Sequence, residues 1–214
     1  MYKILIIIAF AIFITGCKSD SKFEIENKES SNSSGNGVLL NNSNNMQAQN
    51  AIRQIPPISE ELKQNFLEAV NNARAETQDC GEKGVFEPAP PITWNNNLYK
   101  AAYEHTRDMA IHGSVEHIGT HTSSDWTAVD LKLSRGSYFY ERIENNGYKE
   151  YDFVKENVAG GTYFYEAQDV VEAWLKSDTH CETLMNKDLK EMGMSHIKEN
   201  TKYTNYWSLE MGAK

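Results

Sequence analysis

The sequence predicts an α+β domain with a small antiparallel sheet, carried on a polar leash behind an export signal. Three observations predict it. Apolar residues recur at helical spacing in three separate segments after Pro56-Pro57. Near the C-terminus the period changes to two: Met192, Met194 and His196 alternate, and so do Trp207, Leu209 and Met211. Aromatic residues collect beyond Pro56-Pro57, where all four Trp and every Tyr but Tyr2 lie. Helices followed by late strands make an α+β domain.

The chain opens Met1-Tyr2-Lys3, and an apolar run follows from Ile4 to Ile14. That run suits a signal h-region and falls short of the ~20 residues a membrane-spanning helix needs. It ends in Ile14-Thr15-Gly16-Cys17, with polar Lys18-Ser19-Asp20 beyond. This resembles a bacterial lipobox, which implies a signal peptide over 1–16 and a lipidated Cys17. The alternative is an ordinary signal peptide with a chance cysteine. Several acyl chains hold a protein stably where one does not, so the expected partner is the membrane, reached through Cys17. Lys18 stands where an inner-membrane retention signal has Asp, which favours the outer membrane if the host has two.

Residues 17–54 are rich in Asn, Ser, Lys and Glu, with Phe23 the sole aromatic. Such a stretch cannot bury enough apolar surface to offset ordering. It predicts a linker spanning roughly 35 Å root-mean-square.

Residues 55–214 are expected to fold, burying about 70% of the unfolded surface. Ser59 can N-cap a helix with Glu60 and Glu61 in its first turn. Leu62, Phe66, Leu67, Ala69, Val70 and Ala73 form its inner face, to about Ala75. Asp79-Cys80-Gly81 and Pro88-Ala89-Pro90-Pro91 mark a loop. Asn95 to Asn97 can cap a second helix with Leu98, Ala101, Ala102, His105 and Met109 on one face. From His112 to Gly147 the pattern is broken, with one short helix near Ala128–Leu133. A third helix is expected from Tyr165 to Ser177, with Val170, Val171, Trp174 and Leu175 inward. Asn157-Val158-Ala159 supplies a third strand, and the two late segments read as half-buried strands.

The 214 residues are 40% hydrophobic and 24% charged, an ordinary globular balance, and carry a net charge of −9. That excess of acid excludes a general nucleic-acid binder and a polybasic grip on anionic lipid. With Cys17 lipidated, Cys80 and Cys181 have one possible pairing, which an oxidising compartment permits. Otherwise they are two free thiols.

No zinc-protease helix, nucleophile elbow, phosphate loop or dinucleotide fingerprint occurs. Histidine is unevenly placed. His105 reads as a core residue and His112 as a helix-end cation. His117 and His121 are four apart, in a stretch that Gly119 argues is a loop. His196 reads as buried on a strand. Ser177-Asp178-Thr179-His180 holds three catalytic residue types, but a triad is assembled from distant segments; Ser177 and Asp178 read as a helix terminator.

Taken in order, however, several motifs resemble the CAP superfamily, the cysteine-rich secretory, antigen 5 and pathogenesis-related proteins, in its bacterial branch. They are Val70-Asn71-Asn72-Ala73-Arg74, Ile92-Thr93-Trp94-Asn95-Asn96-Asn97-Leu98, His117, Arg142-Ile143-Glu144-Asn145-Asn146-Gly147-Tyr148, Glu156-Asn157-Val158-Ala159-Gly160-Gly161, Trp174 to His180, Met192-Gly193-Met194 and Tyr206-Trp207. The resemblance runs over about 60–212. It implies an α-β-α sandwich with a small antiparallel sheet between helices and a cleft on one side. In the cleft His117 matches the first family histidine, Glu156 the acid of the Glu-Asn motif and His180 the second histidine. The second acid of animal and plant members would fall near Ser177, and Lys155 replaces a frequent Gly.

The resemblance implies a cell-envelope module that binds an envelope ligand, lipid or protein through His117, Glu156 and His180. The alternative is a metal-dependent hydrolase, such as a peptidase, on the same residues. His117 and His180 could ligate a divalent metal such as zinc, with Glu156 orienting a water. Otherwise the three form a hydrogen-bonded cluster that organises the cleft.

Overall fold

The computed structural model describes residues 53–214. The signal segment 1–16, Cys17 and all but the last two residues of the linker lie outside the described residues. Among the described residues no helix is long and apolar enough to cross a membrane.

Helix α1 spans Glu60–Arg74, and the Ser59 hydroxyl caps it by accepting from Leu62 N at 3.2 Å. Phe66, Ala69, Val70 and Ala73 are buried as the spacing predicts, whereas Leu62, on the overhanging first turn, is exposed. Arg74 ends the helix fully buried. Its guanidinium donates to the carbonyls of Pro90, Leu184, Asn186 and Leu189, pinning the loop at Pro90 and the stretch 184–189 to one side chain.

The expected loop contains a miniature hairpin, β1 (Gln78–Asp79) and β2 (Val85–Phe86), around a 3-10 turn at Gly81–Lys83. Cys80 sits in it and is disulfide-bonded to Cys181, 101 residues away, with Cα atoms 5.4 Å apart. Closing a loop of that length contributes up to about 4.7 kcal/mol in the chain-entropy model.

Strand β3 (Thr93–Trp94) leads into α2, Asn96–His112. Asn95 caps α2 by accepting from Asn97 N and Leu98 N, and Gly113, at φ 63°, closes it in the left-handed region that glycine tolerates. The broken stretch that follows holds α3 (Trp126–Asp130), close to the expected short helix, and an unforeseen α4 (Phe139–Asn145). After β4 (Phe153–Gly161) come α5 (Ala167–Leu175) and α6 (Asp178–Leu184), then β5 (Glu191–Lys198) and β6 (Asn205–Ala213). Ser177 and Asp178 therefore do not end the chain's helical run. Ser177 is the extended N-cap residue of a further helix, α6, which begins at Asp178 and carries His180.

The sheet order is β3-β5-β6-β4. β4, β6 and β5 are antiparallel, while two-residue β3 joins β5 in parallel, so the sheet is antiparallel except at that edge. On one face Met192, Met194, Trp207, Leu209 and Met211 pack against α1 and α5 in the main core. On the other, α2 and α4 cover Val154, Val158 and Tyr206. A Cβ on Gly193 would lie 1.9 Å from Tyr99 N, so α2 rests directly on the sheet. The expectation of half-buried late strands is corrected by this layering: every residue of β6 is buried, because helices cover both faces. β4 is the free edge, and the candidate site lies beside it.

Candidate functional site

Glu156 projects from β4 on the α2 face, with its side chain 1% exposed. Register pairs it with Glu210 of β6, also buried. Arg142, on α4, is buried beside them. Its Nη2 donates to Glu156 Oε2 at 2.7 Å and to the His117 carbonyl at 3.0 Å, and its Nη1 donates to the Ser137 carbonyl at 2.7 Å. His117 Nδ1 donates to Glu156 Oε1 at 2.8 Å. Both oxygens of Glu156 are thus committed.

The loop that presents His117 is itself fixed. Gly119 N donates to Ser137 O at 2.8 Å, and Thr120 N to Asp108 Oδ2 at 2.8 Å. Asp125 accepts from Ser137 N, Ser137 Oγ, His121 N and Ala128 N; burial pushes its carboxyl up, and these donors more than offset it. Across the cleft, the His180 ring lies 6.4 Å from that of His117, centroid to centroid. α6 is held there by the Cys181 disulfide and by Asn157 Nδ2, which donates to His180 O at 3.1 Å. The cleft has a volume of about 280 Å³, and Phe139, Lys155, Thr179 and Thr183 complete its walls.

The three expected residues, His117, Glu156 and His180, therefore come together. Sequence reasoning missed three others. Arg142 lay in a quoted motif without a role. Glu210 sits in the alternating phase of a strand and gives no local signal. His105 is buried in the core as expected, yet its Nε2 also reaches to 3.7 Å from Glu156 Oε2 while bonding the Glu116 carbonyl at 2.7 Å. The remaining histidines stay outside. His121, at φ 59°, turns away and bonds the Leu133 carbonyl. His112 bonds Thr122 and Ser124. His196 is half-buried, stacked on Trp207 at 3.9 Å.

The electrostatics follow from one buried cation among carboxylates and imidazoles. Burial pushes Glu156 up, but Arg142, His105 and the His117 hydrogen bond outweigh it and hold the carboxyl well below its usual range. Burial, then the charge of Glu156, drives Glu210 well above, so Glu210 is the neutral acid of the pair. The hydrogen bond to Glu156 raises His117, whereas burial and the His117 charge lower His180.

Burial and Arg142 hold His105 down to about 4 against an ordinary 6.5. Between those values the unfolded chain binds a proton that the folded chain refuses, so stability falls as pH falls. From the two values the loss from pH 6.5 to pH 4 is about 3 kcal/mol. Melting curves across that range should show the slope, and His105→Gln should flatten it. An unchanged slope in the variant would assign the acid loss elsewhere.

A divalent metal such as zinc, expected on His117 and His180, meets a short donor set. Two imidazoles are available, and neither oxygen of Glu156 is free. Among the described residues no group of three or more His, Cys, Asp or Glu side chains is placed to hold a metal ion. Zinc takes three protein ligands in open sites and four in closed ones. These residues do not fit a resident zinc.

Comparison with known proteins agrees with the fold. The model of the cysteine-rich secretory protein family, CAP, matches residues 67–211. An outer surface protein from Borrelia burgdorferi superposes with a TM-score of 0.53 at 18% identity, over 74% of this chain and 96% of that one. An extracellular protein containing a SCP domain from Bacillus anthracis superposes with a TM-score of 0.51 at 15% identity, over 75% of this chain and 45% of that one. No curated protein sequence matches the chain.

Proposed function

The chain belongs to the cysteine-rich secretory protein family, and from that premise we propose that it is an exported, lipid-anchored module of the bacterial cell envelope that holds a ligand or partner in the cleft beside β4. The observation that carries the binding half is the double commitment of Glu156. A carboxylate clamped by His117 and Arg142 is a poor base and a poor metal ligand, but it orients the His117 ring. With Nδ1–H given to Glu156, His117 keeps Nε2 as its remaining polar ring atom, on a half-exposed ring 6.4 Å from that of His180. The raised His117 adds positive charge there in mild acid, beside Lys155.

The anchoring half rests on Ile4 to Cys17 of the sequence. The Borrelia neighbour is described as an outer surface protein, and a surface location is proposed here on this chain's own signal. Cys17→Ala should move the protein from the membrane fraction to the soluble exported fraction. Continued sedimentation with membranes would remove the lipid anchor from this reading.

The second reading, a metal-dependent hydrolase on His117, Glu156 and His180, is separated from binding by zinc content. Mass spectrometry of the purified protein should find well under one zinc per chain, unchanged in His117→Ala/His180→Ala. Stoichiometric zinc that the double variant loses would replace the binding reading with the hydrolase.

A further inference from the structure

A second groove, of about 450 Å³, shares no lining residue with the His117 cleft. Its walls come from the C-terminal half of α2, from α3 and from the loop between them. Ile111, Trp126 and Val129 make it apolar, and Ile111 and Val129 are 45% and 46% exposed. Grouped exposed apolar residues around a concavity mark a recognition surface.

Arg107 supplies the specific chemistry. Its guanidinium lies over the Trp126 ring, 4.9 Å from the centroid. Its Nη1 is buried without a hydrogen-bond partner among the described residues. Arg107 also enters none of the ion pairs among them. The nearby acids are already used. Asp108 accepts from Thr120 and Ser124, Glu104 from Thr127 N and Asn146, and Asp130 pairs with Arg53, the other arginine of the groove. A chain of net charge −9 thus keeps a half-buried guanidinium with no counter-charge among the described residues, in an apolar groove. Residues 41–52, next to Arg53 along the chain, contain no Asp or Glu that could supply one.

The planar donor fork of arginine matches a carboxylate. The apolar wall matches an aliphatic side chain. Ser123 adds a hydroxyl along the groove, which suits a peptide amide. We propose that this groove binds the C-terminal carboxylate of a peptide whose last residue is apolar, with Arg107 holding the carboxylate.

The test uses N-acetyl-alanyl-leucine, its carboxamide and octanoate, titrated into the purified protein. The readout is the Trp126 indole N–H resonance, assigned by its loss in Trp126→Phe. Trp94, Trp174 and Trp207 serve as references, since each indole N–H is already hydrogen-bonded, to Asn96, Val158 and Phe164. The acid should shift the Trp126 resonance to saturation, and the carboxamide should bind at least roughly tenfold more weakly. Arg107→Met, which keeps an unbranched stem, should bring the acid down to the carboxamide level. Equal binding of acid and carboxamide by the unaltered protein would overturn the proposal without any variant having to fold. So would the absence of a shift at millimolar acid. Octanoate binding as tightly as the dipeptide would also overturn it, in favour of an anionic lipid.

Discussion

Arg142→Met should destabilise the domain by about 3–5 kcal/mol at neutral pH, the cost of removing one partner from a buried ion pair. The guanidinium is a permanent cation against Glu156 inside the protein, whereas burial holds His105 uncharged at neutral pH and His117 is half-exposed. Losing it leaves a carboxylate facing protein interior. It also strips donors from the Ser137 and His117 carbonyls, so the loop carrying His117 loses its anchor. Urea unfolding should show the full loss. Arg142→Lys should recover only part of it, because an ammonium cannot span three acceptors in a plane. Adding Glu156→Gln to Arg142→Met should also recover part, through the coupling expected of contacting groups. A loss below ~1 kcal/mol would mean that Glu156 is ionised by some other group.

Trp174→Ala should cost a comparable ~3–5 kcal/mol. Trp174 is 2% exposed in the main core, packed with Val170, Val171 and Leu184. Its Nε1 donates to the Val158 carbonyl at 3.1 Å, tying α5 to β4. Trp174→Phe separates the two contributions. It refills most of the volume but leaves that carbonyl unpaired, so a residual loss of about 1–3 kcal/mol should persist. If Phe restores full stability, the hydrogen bond carries no net weight.

Apart from α3, expected as a short helix near Ala128–Leu133, the helices legible in sequence were those long enough to repeat an apolar face. α1, α2 and α5 each bury such a face, and Ser59 and Asn95 cap α1 and α2 as their residue types suggest. α4 and α6 are seven residues each, under two turns, too short for a period to register. They are held by contacts from elsewhere: α4 by Arg142 reaching Glu156, α6 by the disulfide. The site divided along the same line. His117, Glu156 and His180 were legible through motif order. Glu210 was not, because alternation along β6 assigns it to a solvent face, and only the helices packed on both sides make that face interior. His105 was read for its burial, which is correct, but burial carries no information about which carboxylate lies next door.

The buried middle of the sheet also sets the order in which this chain can fold. β6 lies between β5 and β4 and pairs with both, yet it follows every other described element along the chain. Until residues 205–213 exist, β4 has no strand to pair with, β5 has only two-residue β3, and the apolar undersides of α1, α2 and α5 lack the centre of their floor. Folding therefore waits for the polypeptide to be made through Ala213, and a product cut short before Asn205 should be a protease substrate, not a smaller domain. For the export proposed above the consequence is direct: the topology keeps the domain threadable until β6 has been made.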